Sequence, residues 1–165
     1  MSTTSNIGLW EYFDSATIPA YARRRKQIGR QWPAGEVATD ALVQVFGQRV
    51  SSWLLDSIQA DFSWLTEGNH APSAWRLCLL ENQCAYLVPI GNEQYRLRRS
   101  DRYFDQILLA DAAGLCATML CLNRLSHHCA IQAEFPPSRL KALERGLATF
   151  SELHPYGKDI RVMLN

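Results

Sequence analysis

Between Ala110 and Leu122 the chain carries one charge, Asp111, and its apolar and small residues keep to no single face. A helix that is apolar all round is a buried helix, so the stretch Leu108 to His128 predicts a central core helix. Asp111 suits its first turn, where a carboxylate meets the positive end of the helix dipole. Gly114 costs about 1 kcal/mol against alanine in a helix interior, which predicts that another element approaches closely there. Roughly 13 mostly apolar residues are fewer than the ~20 that span a bilayer, so this is a core helix and not a membrane segment.

The pattern before this helix changes period. Glu36 to Leu55 carries Val37, Leu42, Val45, Phe46, Val50, Trp53 and Leu54 at helical spacing, interrupted by Gly47. Two helices meeting near Gly47, the second running on through Ile58 and Phe62, and one bent helix fit equally well. Thr66 to Ser73 reads as a loop. Trp75 to Leu80 and Ala85 to Ile90 read as two strands joined tightly by Glu81 to Cys84, with Pro89 at the strand end, where a missing N–H does least damage. Gln94 to Arg99 alternates as a half-buried strand does, and Tyr103 to Leu108 supplies a fourth strand. After the central helix, Ser138 is a candidate N-cap for a helix with Leu140, Leu143, Leu147, Phe150 and Leu153 on one face. His154-Pro155 stops it, because the residue before proline avoids the α region. Ile160 to Leu164 is a short apolar tail.

The expected fold is therefore a single α+β domain: an antiparallel meander of about four strands packed on a buried central helix, with flanking N- and C-terminal helices. Residues 1–40 form a partly helical N-terminal extension, and residues 41–165 the α+β domain proper. Composition narrows the class of function. A length of 165 residues and an apolar share of 47% suit one globular domain. The net charge of +1 argues against a polyanionic DNA mimic and gives no global drive toward nucleic acid. Five cysteines in mostly apolar surroundings fit reduced, buried thiols. The start of the chain shows no charged-then-apolar signal pattern, so the expected location is the cytoplasm, without membrane attachment.

Candidate chemistry is sparse. The cysteine spacings lack the paired C-x2-C form of a structural zinc site. Cys121, His127, His128 and Cys129 point different ways while helical, so the histidines read as a helix end, where protonated imidazole is favoured. A cryptic enzyme using His127 or His128 is the weakest reading. Apolar surroundings raise thiol pKa and blunt nucleophilicity, and no G-x-S-x-G elbow or phosphate loop is present. No catalytic residue, metal site or cofactor is expected. Two basic groups stand out: Arg23, Arg24, Arg25 and Lys26, a solvated helix face in the plainer reading, and Arg96, Arg98, Arg99 and Arg102. Together they could form a positive surface for phosphate or an acidic protein.

Three further segments carry a family resemblance. Trp75 to Pro89 resembles W-x-F-Y-x-L-x-N-G-G-x-Y-M-x-P, with Trp75, Leu80, Asn82, Tyr86 and Pro89 matching without a gap. Leu109 to Leu115 resembles S-A-D-A-A-G-I, matching from Ala110 through Gly114, and His154-Pro155 through Ile160 resembles H-P-x-x-x-x-I. Phe46-Gly47 resembles the end of L-P-x-x-F-G without its Leu-Pro, and Gln83-Cys84 replaces the Gly-Gly of the turn. These segments, spanning roughly Val45 to Leu164, resemble the ArdB/KlcA-type antirestriction family of plasmids and other mobile elements. The resemblance implies a compact α+β domain that relieves type I restriction of incoming DNA without chemistry of its own, by binding a host restriction or DNA-processing protein. The matched positions read as structural: Trp75, Tyr86 and Gly114 as packing, Asn82 as a turn, Asp111 as a helix start. The alternative is a nucleic-acid or accessory-protein binding module using the two basic groups.

Overall fold

The computed structural model describes residues 25–33, 40–69, 71–80, 84–127 and 137–165. In chain order these form β1 (Arg25–Pro33), α1 (Asp40–Phe46), α2 (Gln48–Leu65), β2 (Ala74–Leu80), β3 (Ala85–Ile90), β4 (Gln94–Arg99), a 3-10 turn (Ser100–Arg102), β5 (Phe104–Leu109), α3 (Ala110–Leu125), α4 (Pro137–Leu153) and α5 (Gly157–Leu164). The domain is α+β, as expected. No described helix is long and apolar enough to cross a membrane.

The four expected strands are present, but they do not form one meander. β2 and β3 pair with each other and β4 with β5, all antiparallel, in two separate sheets. A fifth strand, β1, pairs with the other edge of β2, from Arg25 opposite Leu80 to Pro33 opposite Ala74. At Arg25 and Lys26, the described part of the basic run, a strand stands where a helix face was expected. Arginine and lysine are good helix formers, and β1 lacks the clean alternation that marks a strand in sequence. Charged residues are nonetheless common on edge strands, where they discourage pairing with another chain.

Gly47 separates two helices rather than bending one. Its φ of 80° redirects the chain between α1 and α2, and its N–H still donates to the Val43 carbonyl at 2.7 Å. Ser138 lies inside α4, which starts by Pro137, and is not its cap. Proline suits a first helical position because its missing N–H would have no partner there. The apolar tail is helical, and α5 buries Ile160 and Met163.

The core has two centres. In one, an aromatic chain joins both sheets to α2: Phe62 meets Trp75 edge-on with centroids 5.4 Å apart, and Tyr95 at 4.9 Å. Each such pair adds about 0.5–1.5 kcal/mol beyond the area it buries. In the other, α3 lies against β3. Every residue of α3 from Asp111 to Thr118 is buried, which explains its all-round apolar character. β3, with the burial of both faces nearly complete, reads as a continuous apolar run for the same reason.

Candidate functional site

The three family-like segments meet at one buried point. Tyr86 comes from β3, Asp111 from the first turn of α3, and His154 from the turn that ends α4. Tyr86 Oη donates to Asp111 Oδ1 at 2.8 Å, and His154 Nε2 lies 2.9 Å from Asp111 Oδ2. The Tyr156 backbone N–H donates to His154 Nδ1 at 3.0 Å. With Nδ1 accepting, the ring proton sits on Nε2 and points at the carboxylate. Phe150 closes the group, packing on Tyr86 at 5.6 Å and on His154 at 6.4 Å.

In the sequence these residues fall in separate elements; the fold brings them together. Asp111 starts a helix, and it also ties that helix to β3 and to the α4–α5 turn. Chemically, both ring nitrogens of His154 are engaged, and its side chain is wholly shielded from solvent. No face of this imidazole is open to a substrate, so the arrangement holds three elements in place.

Burial raises the Asp111 carboxyl above the ordinary aspartate value of 3.8, and the hydrogen bond from His154 works against that rise. The folded state therefore holds this proton more tightly than the unfolded chain. By linkage, Asp111 contributes stability that is full below its unfolded pKa and is lost as the pH climbs through its folded pKa. The stability advantage of the wild type over Asp111→Asn should accordingly shrink as the pH is raised from the ordinary aspartate range, about 4, toward neutrality. Urea unfolding of both proteins across that range checks this, and an advantage that grows with pH would contradict it.

Gly114 faces β3 where no side chain fits. A Cβ there would lie 2.1 Å from the Leu87 carbonyl oxygen, 2.8 Å from Val88 Cα and 2.9 Å from Pro89 Cδ. One turn on, Thr118 Oγ1 accepts the Leu87 N–H at 3.0 Å and donates to the Gly114 carbonyl at 2.9 Å. The free edge of β3 is thus partly satisfied by the helix. Pro89, on this same edge strand, has no N–H to satisfy. Trp75 and Leu80 are buried in β2. Pro155 follows His154 in the turn between α4 and α5.

A second buried junction was not read from sequence. Asp61 of α2 accepts from Cys121 Sγ of α3 at 2.9 Å and from Arg124 Nη1. Burial first, and the Asp61 charge second, push the Cys121 thiol up. Burial likewise raises Cys116 and Cys84, and Cys78 is buried as well. None of these three raised thiols is poised as a nucleophile.

Of the basic positions, Arg23 and Arg24 lie outside the described residues, as do Asn82, His128 and Cys129; of Arg25 and Lys26 only the backbone is described. Arg96 and Arg98 share a face of β4, both exposed. Arg96 grips Asp105 with two bonds of 2.7 Å. Arg98 reaches Glu67 at 3.0 Å and Asp105 at 3.5 Å. Arg99 meets Asp101 at 3.1 Å and turns away to donate to the Met163 carbonyl at 2.7 Å. Arg102 lies 4.0 Å from Asp101. The arginines are interleaved with acids. Asp105 sits directly opposite Arg98 in the β4–β5 register, a cross-strand pairing that the hairpin pattern carries implicitly. His127 is exposed in the turn after α3, its N–H on the Arg124 carbonyl. Among the described residues, no three His, Cys, Asp or Glu side chains come together as metal ligands.

The comparisons with known proteins agree with this architecture. No curated protein matches the chain. A solved structure matches over 85% of this chain and 98% of its own, at 21% identity and a TM-score of 0.66. It belongs to the work on the KlcA and ArdB proteins, described as showing a novel fold and antirestriction activity against type I DNA restriction systems in vivo but not in vitro. At that identity the match speaks for the fold. The family model described as antirestriction protein matches residues 69–164, more than half of the chain and all three family-like segments. The chain belongs to the antirestriction protein family.

Proposed function

We propose that this protein relieves type I restriction of incoming DNA by binding a host protein, and that it does so without chemistry of its own. Family membership carries the reading. The KlcA and ArdB proteins, whose fold it shares, act against type I systems in vivo but not in vitro, which fits an activity that needs a further cellular component. The internal geometry supports a binding role, since the one histidine–carboxylate–tyrosine group among the described residues is spent on holding elements together. The partner is a host restriction or DNA-processing protein. Nucleic acid is a poorer partner, because each described arginine of the second basic group already faces a carboxylate.

Affinity capture tests the partner. The tagged chain, expressed in a type I restricting host, should retain one host protein through a high-salt wash that screens nonspecific charge contacts. Deleting the gene for that protein should abolish relief of restriction. Relief that persists undiminished in the deletion strain would overturn the assignment.

A further inference from the structure

The end of α2 and the tip of the β4–β5 hairpin enclose an open cleft of about 890 Å3, lined in part by Trp64, Glu67, Arg98, Tyr103 and Asp105. Trp64 is 54% exposed and Tyr103 97% exposed. The same two walls hold both non-glycine residues with positive φ among the described ones, Glu67 at 57° and Tyr103 at 52°. A bulky residue in the left-handed region is an outlier, and such strain is held at a cost. Glu67 lies in the turn that ends α2 and Tyr103 closes the 3-10 turn, helix ends where the left-handed conformation is common although it usually falls to glycine.

The charges in the cleft are distributed unevenly. Arg98 is divided between Glu67 and Asp105, and Asp105 is also held by Arg96. The Glu67 carboxylate, 50% exposed, hydrogen-bonds to Arg98 among the described residues and lies within electrostatic reach of Arg96. A carboxylate offers about four lone-pair sites, so Glu67 keeps acceptor capacity facing the solvent. The lining cation is already committed, while an acceptor and two aromatic rings are open. Ring faces attract cations, and tryptophan and tyrosine are the side chains that dominate binding energy at protein interfaces.

We infer that this cleft receives a cationic side chain, an arginine or lysine, presented by a loop of a protein partner. Trp64 and Tyr103 supply the rings and Glu67 the counter-charge. That the partner is a host protein rests on the function proposed above; the chemistry of the cleft does not. Two carboxylates, Glu67 and Asp105, are balanced by Arg98 in the lining and Arg96 beside it, which leaves no excess of positive charge to draw a polyanion.

Trp64→Ala, Tyr103→Gly and Glu67→Lys in the full chain test this, with Val162→Ala, another exposed apolar position, as control. Tyr103→Gly removes the backbone strain, so its thermal midpoint should rise while relief of type I restriction in cells falls about tenfold, the size of a lost interface anchor. A merely structural tyrosine would not separate the two readouts in this way. Binding is read independently by NMR, following the indole N–H signal that disappears in Trp64→Ala. Acetyl-Gly-Arg-Gly-amide should shift that signal in the wild type and not in Glu67→Lys, whereas acetyl-Gly-Glu-Gly-amide and inorganic phosphate should leave it in place. No shift with the arginine peptide, or an equal shift with either anion, overturns the inference, as do cleft variants that relieve restriction as well as the wild type. If the wild type itself gives no relief, the antirestriction reading fails, and the peptide titration alone decides the chemistry of the cleft.

Discussion

Asp111→Ala is expected to cost about 3 kcal/mol of folding stability, because it orphans two buried donors at once. The carboxylate accepts from Tyr86 and from His154, both buried. Its removal leaves a hydroxyl and an imidazole N–H without their acceptor, and each orphaned group costs ~1–3 kcal/mol. Against that, burial already disfavours the ionised carboxyl, so deleting it recovers some desolvation free energy; the orphaned donors outweigh this recovery because there are two of them. Asp111→Asn keeps the shape and one acceptor and should lose less. A double-mutant cycle isolates the network: Tyr86→Phe should destabilise the wild type and be close to neutral in the Asp111→Ala background, where the hydroxyl no longer has its acceptor. Urea unfolding followed by circular dichroism gives all four values, and strict additivity would show that the hydrogen bond contributes nothing.

Gly114→Ala sets two effects against each other. Alanine is about 1 kcal/mol better than glycine in a helix interior, so at an open position the change would stabilise. Here the new methyl would stand 2.1 Å from the Leu87 carbonyl oxygen, with Val88 Cα and the Pro89 ring just beyond. All three are backbone or ring atoms that cannot rotate aside. The helix must retreat from β3, which also stretches the Leu87–Thr118 hydrogen bond. Overpacking of this kind costs ~1–3 kcal/mol and sometimes more, and with three immovable neighbours the upper end applies. The expected net loss is about 2 kcal/mol or more, and the thermal midpoint should drop by several degrees. A midpoint equal to or above the wild type would mean that α3 does not lie on β3 as described.

Local pattern revealed much of this architecture. The strands Ala85–Ile90 and Gln94–Arg99 fall where apolar alternation and turn residues place them, and the core helix begins at Ala110 beside its single charge. These features are encoded by neighbours a few positions apart. The grouping of strands into two sheets is not encoded in that way, because both hairpins look alike until α2 and α3 pack between and against them. β1 escaped notice because a basic run has no period-2 signal. The Asp111–His154 contact spans 43 positions, beyond any local pattern, although all three partners were already singled out by family-like segments. Convergence of those segments on one buried point is what the structure adds.

The cleft had a fainter signal. Buried positions of α2 follow Leu54, Ile58, Asp61 and Leu65, and Trp64 falls off that stripe. A tryptophan turned away from the core of an amphipathic helix marks a surface worth testing. Glu67 and Tyr103 carry no such mark, since a positive φ outside glycine is not written in sequence.

Relief of type I restriction is measured most directly by plating efficiency. Unmodified phage is plated on a type I restricting host with and without this chain, beside modified phage and a non-restricting host as controls. Expression is expected to raise the plating of unmodified phage toward that of modified phage and to leave both controls unchanged. Plating of unmodified phage that stays at its restricted level, with the folded protein present in the cells, would contradict it.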